Sequence, residues 1–173
     1  MKKTIAFSLI IILVVSMLAG CASKKAPLSD DLPTLIDEIY KQRPVEFSHF
    51  TITPDDPDFG AMWDWNYYTG LANGDKVKEA AVSESMIGSI PFSLVLLRLN
   101  DASDARAVAE EMKAGINTSK WICVDANDLL VAGYSDVVML VMIGESFADQ
   151  GLTAQAFVDA FQTVCGADLD FTI

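Results

Sequence analysis

Apolar residues along the chain follow two periodicities, separated by turn signals. Leu32, Leu35, Ile36 and Ile39 recur at i, i+3, i+4 and i+7, the spacing of one helix face. This predicts a helix over residues 30–42, with Ser29 or Asp30 as its cap, Pro33 in its first turn and Pro44 as its stop. A second stripe, Ala105, Val108, Ala109, Met112 and Ile116, predicts a helix over 102–116, begun by Asn100 or Asp101 and closed by Asn117. A third, Phe157, Ala160, Phe161 and Val164, predicts a helix capped by Thr153 and stopped by Gly166.

Strand patterns lie between these helices. Residues 77–86 and 92–99 read as two strands joined through Gly88 to Pro91. Residues 128–133 and 136–143 read as two more around Tyr134-Ser135. Val137 to Ile143 has no polar member, which marks a central strand. Trp121 to Val124 fits either a short strand or a packed turn. Residues 48–60, with Pro54, Asp55, Asp56, Pro57, Asp58 and Gly60, read as an irregular loop. Two hairpins flanking one helix predict an α+β fold: an antiparallel sheet of about four strands with helices packed on one face. A strand apolar on both sides then needs cover for its second face as well. The aromatic stretch 61–71 is the segment to supply it; failing that, the face is a binding or dimer surface.

The N-terminus carries a different pattern. Lys2-Lys3 precedes an apolar run from Ile5 to Met17, and Leu18-Ala19-Gly20-Cys21 follows. The run is shorter than the roughly 20 residues of a spanning helix. The segment resembles a bacterial lipoprotein signal peptide. That resemblance implies diacylglycerol on the Cys21 sulfur, cleavage before Cys21, and a protein held by lipid on the extracytoplasmic face of the cell membrane. The expected organisation is a signal peptide over 1–20, a lipidated cysteine and tether over 21–28, and a single α+β domain over 29–173. A tether of that length reaches about 20–25 Å.

Composition sharpens this. The chain has 24 acidic and 12 basic residues, a net charge of −12. Loss of Lys2 and Lys3 takes the basic residues from 12 to 10 and the charge from −12 to −14. So acidic a domain is repelled by nucleic acid and by anionic headgroups, so no nucleic-acid partner is expected. Lys24 and Lys25, beside the lipid, are the exception, at about 1 kcal/mol each near an anionic surface. Cys123 and Cys165 remain after Cys21. Their spacing is neither a zinc set nor a redox motif, and they either form one bridge or stay as two thiols.

Candidate chemistry is sparse. Gly144-Glu145-Ser146-Phe147-Ala148 loosely follows the nucleophile-elbow pattern, but the sole histidine, His49, lies upstream of the serine instead of downstream. Asp55, Asp56, Asp58 and Asp64 do not have the spacing of a calcium loop. No catalytic residue, metal or cofactor is expected. Trp63, Trp65, Tyr67 and Tyr68 are the candidate ligand- or partner-binding residues; if extended, the segment puts three aromatics on one side. The same residues would equally well close a core. Met86, Met112, Met139 and Met142 fall at core-like positions.

From about residue 60 onward, Tyr67-Tyr68-Thr69-Gly70-Leu71, the Val77-to-Met86 segment, Ser93 to Leu99, Lys120-Trp121-Ile122-Cys123-Val124 and Val137 to Ile143 carry a further likeness. The chain resembles an uncharacterised family of small bacterial lipoproteins, often of Gram-positive cells, whose domain has no known function. The resemblance implies a secreted, lipid-anchored domain and carries over no activity. The expectation is a non-enzymatic domain that binds an envelope protein or glycan. The alternatives are a small envelope hydrolase, using Ser146 or the Asp55–Asp58 loop, and a ligand-binding accessory lipoprotein of a transporter.

Overall fold

The computed structural model describes residues 25–173; Cys21 and the signal-peptide segment lie outside them. No helix among the described residues is long and apolar enough to cross a membrane. The elements run α1 (Leu32–Gln42), β1 (His49–Ile52), a 3-10 turn (Gly60–Met62), α2 (Trp65–Thr69), β2 (Val77–Ser85), β3 (Phe92–Leu99), a 3-10 turn (Ala102–Asp104), α3 (Ala105–Gly115), β4 (Asp128–Tyr134), β5 (Val137–Ile143), a 3-10 segment (Glu145–Gln150), α4 (Ala154–Cys165) and β6 (Phe171–Thr172). The six strands form one antiparallel sheet in the order β1-β2-β3-β5-β4-β6.

The three predicted stripes are the buried faces of α1, α3 and α4; Val164 alone is only half-buried. Asp31, one residue beyond the expected cap, starts α1 by accepting the Thr34 N–H at 2.8 Å. Thr153 caps α4 through the Ala156 N–H, and Gly166 ends it in the left-handed region. Both expected hairpins form, β2–β3 and β4–β5.

Two expectations are corrected. The sheet has six strands, not about four: β1 comes from the segment read as loop, and β6 from the last residues. The helices also cover both faces, because β5 alternates cleanly between them. Val137, Met139, Val141 and Ile143 pack under α1 and α4 with Phe92, Phe157 and Phe161. Val138, Leu140 and Met142 pack under α3 with Val95, Leu97 and Met112. The aromatic stretch supplies further cover on this second face, where Trp63, Trp65 and Tyr68 pack beside α3. The α2 and α3 ends meet backbone to backbone. A Cβ at Gly115 would lie 2.0 Å from the Gly70 carbonyl oxygen, and Gly70 itself has φ +78°.

The sheet has two distinct ends. Phe92 and Ile143 pair at the end that carries the β2–β3 connection (residues 86–91). Arg98 and Val137 pair at the other, beside the tight β4–β5 turn. Strands of this length separate the two ends by about 25 Å. The N-terminal strap, residues 25–30, is fastened at the turn end. Arg98 donates to the carbonyls of Leu28 and Asp30, each at 2.6 Å, and its Nε lies 3.0 Å from Glu79. Lys25 pairs with Asp170 at 2.9 Å, donates to the Asp168 carbonyl and lies over the Tyr134 ring.

Candidate functional site

The loop between α3 and β4 is bent back by local bonds: the Ser119 N–H donates to Asn117, and the Ala126 N–H to the Thr118 carbonyl. This carries Lys120 beneath α2 and over the hairpin end of the sheet. Its ammonium is buried and ion-pairs with Glu84 of β2. Ser93, directly across on β3, donates to the same carboxylate oxygen at 3.0 Å. Tyr67 accepts from Lys120 through its carbonyl at 3.2 Å. Three rings complete the enclosure, with centroids 4.6 Å (Tyr67), 5.7 Å (Tyr68) and 5.3 Å (Trp121) from Nζ. Burial pulls the Lys120 pKa down, and Glu84 partly opposes it. The Lys120 and Glu84 side chains are only 1% and 7% exposed, so the ion pair itself is closed off from solvent. It pins α2 and the loop onto the sheet.

The four aromatic candidates therefore do not form an extended platform. Asp64 accepts the Tyr67 N–H and starts the helix Trp65–Thr69, which replaces the expected alternation. Trp63 stacks obliquely on Tyr68 and meets Trp65 edge-on. The Trp63 indole N–H is buried without a partner. Trp65 lies against Gly74, and of the four only Tyr67 is more than a third exposed. Glu84, Ser93, Lys120 and Trp121 were not singled out as site residues from the sequence. Ser93 and Arg98 are the two polar residues of the otherwise apolar β3, which was the available signal for Ser93; Glu84 lies in a strand with several other polar residues and had none.

The same end of the sheet carries an apolar tip. The Ile122 N–H donates to the Gly88 carbonyl, which joins the α3–β4 loop to the β2–β3 connection. Met86 (66% exposed), Ile87 and Ile122 (72% exposed) project from this junction. Met86 is thus a correction: Met112, Met139 and Met142 are buried, but Met86 falls just past the end of β2 and points outward.

The remaining candidates are dispersed. Ser146 is exposed on the 3-10 segment after β5, and among the described residues no hydrogen bond joins it to His49. His49 stacks on Tyr40 and faces the Phe47 carbonyl. The Asp56 carboxylate accepts the Asp58 and Phe59 N–H groups, each at 2.9 Å, and so builds its own turn. Cys123 and Cys165 are both free thiols, not a bridge. Cys123 is exposed in the loop, whereas Cys165 packs against the core under α1 and α4. Burial, with Asp170 adding and Lys25 opposing, pushes the Cys165 thiol up to about 12. Iodoacetamide at pH 8 is expected to label Cys123 at least about ten times faster than Cys165, because the thiolate is the nucleophile. Equal rates, read by peptide mass spectrometry, would contradict this packing.

No protein-family model, curated protein or solved structure matches the chain.

Proposed function

We propose that this protein is a lipid-anchored domain at the extracytoplasmic face of the cell membrane, and that it binds an envelope protein through its apolar tip. The observation that carries the reading is the gathering of Met86, Ile87 and Ile122 at one end of the sheet, away from the end that holds the strap. Clustered exposed apolar side chains on a soluble domain mark an interaction surface. Their chemistry favours a protein over a glycan. Sugars are stacked on flat, exposed rings, and here Trp63, Trp65 and Tyr68 pack on the sheet while Tyr67, Tyr68 and Trp121 enclose Lys120, with only Tyr67 of these exposed.

The tether supports the same orientation. Because residues 25–30 are fastened to the domain, only residues 22–24 separate the strap from Cys21, a reach of at most about 14 Å. A lipid on Cys21 holds the turn end of the sheet toward the membrane and directs the tip outward. The acidic domain surface keeps the rest of the protein from adhering to anionic headgroups.

The test is a photo-crosslinking residue at position 122 in intact cells. The expected result is one recurrent protein adduct, lost when Met86→Asp and Ile87→Asp are combined. No adduct, or an adduct indifferent to those charges, would remove the tip as the binding surface.

A further inference from the structure

We infer that the outer edge of β2 beyond β1 is a slot for an extended, basic peptide segment, which pairs there as an added strand. The register makes the case. Bonds from the Gly144 N–H to the Pro91 carbonyl and from the Leu99 N–H to the Asp136 carbonyl show that odd-numbered residues of β3 bond toward β5. Even-numbered residues of β3 therefore bond toward β2, and the odd-numbered residues of β2 answer them. From Glu79 to Ser85 the even-numbered residues of β2 face outward; a bulge between Val77 and Glu79 ends this register just before Ala80. The Met86 N–H confirms this by donating to the Ser48 carbonyl on the β1 side.

β1 covers only the last part of this edge, since Ile52 pairs with Val82 and pairing stops there. The next outward residue is Ala80, and the position collinear with it is Pro54, which has no N–H to give. The chain then turns away through the Asp56 N–H to the Thr53 carbonyl. By this register the backbone N–H and carbonyl of Ala80 lie on the uncovered edge, and Ala80 lines a cavity of about 370 Å³. Leu32 and Pro33 wall the cavity from the α1 side, Trp65 from the other face, and Pro54 closes one end. A strand laid there would alternate its side chains between these two walls. Glu79 is already paired with Arg98, and Asp31 and Asp55 outnumber Lys78 along the rest of the lining, so a cationic segment is the complementary one. This form of recognition takes affinity from main-chain bonds and selectivity from side-chain pockets. The slot is separate from the apolar tip and stands whether or not Cys21 is lipidated.

The test uses the domain from residue 25 onward with a blocked hexapeptide of alternating lysine and valine, followed by amide NMR. The expected result is a saturable shift and slowed exchange of the Ala80 amide. A peptide of alternating glutamate and valine should bind about ten-fold more weakly or worse. Methylating the lysine–valine peptide on the backbone nitrogens of alternate residues should abolish the response in one of the two phases. Ala80→Pro removes only an outward N–H, so it should keep the fold and lose the peptide, and Asp55→Lys should weaken binding. An unperturbed Ala80 amide at millimolar peptide, equal responses to both charge types, or indifference to methylation in both phases would overturn the proposal. So would a peptide-independent dimer that Ala80→Pro dissolves, which would make the edge a self-association surface.

Discussion

Glu84→Ala is expected to cost about 3–5 kcal/mol, because it leaves the Lys120 ammonium buried without its counter-charge. For a domain of this size that lowers the melting temperature by about 10–20 °C. The pair itself is not a large source of net stability, since both charges were taken out of water to make it. What is expensive is half of it. The double replacement Glu84→Leu with Lys120→Met should therefore recover most of the loss, and Ser93→Ala alone should cost about 1 kcal/mol. Thermal unfolding of the four proteins decides the matter. A Glu84→Ala protein within 1 kcal/mol of the parent would mean that water reaches Lys120 and that the aromatic enclosure is open.

Cys21→Ser is expected to shift the protein almost wholly from the membrane to the soluble fraction of cells. Stable attachment needs two acyl chains or one chain with a basic patch, and the described residues offer an acidic domain in place of either. Fractionation with a fatty-acyl label reads both halves of the expectation: label lost and protein released. Retention of the mutant on membranes would sink the lipid-anchor proposal, while leaving the slot on β2 untouched.

Much of the fold was legible because its helices and central strands obey one periodicity each. The stripe Leu32, Leu35, Ile36 and Ile39 could be read directly, and so could the seven apolar residues of β5. The edges were not legible. β1 has four residues, of which Ile52 alone is buried, and it runs straight into a proline- and aspartate-rich segment. β6 has two residues. Such strands are specified by the neighbour they pair with, and no local pattern announces them. The second helical layer was implied by β5 itself, whose side chains alternate between two apolar faces, yet α2 was hidden by a Trp-Asp-Trp-Asn-Tyr alternation that also suits a strand.

The candidate site was legible in part. The aromatic stretch was visible, but its purpose depends on Lys120, which lies more than fifty residues downstream of Tyr67. Met86 fits a strand pattern and still points outward, because β2 ends one residue before it. Ile122 is apolar in a loop whose exposure is set by the bond to Gly88, which no local spacing reveals.

Arg98 has a mechanical consequence. It sits on β3, one of the two central strands, and grips the strap through two carbonyls while also reaching Glu79 on β2 and Asp136 beside β5. In the anchored protein we propose, a pull on the lipid first meets Lys25, held beside the edge strand β6, and past it enters the sheet at its middle through Arg98. The load falls on the β3 pairings with β2 and β5 together, so it must shear many hydrogen bonds at once instead of peeling them one by one. A domain held this way can be dragged by its anchor, or by a partner at the far end, without unravelling from its first residue.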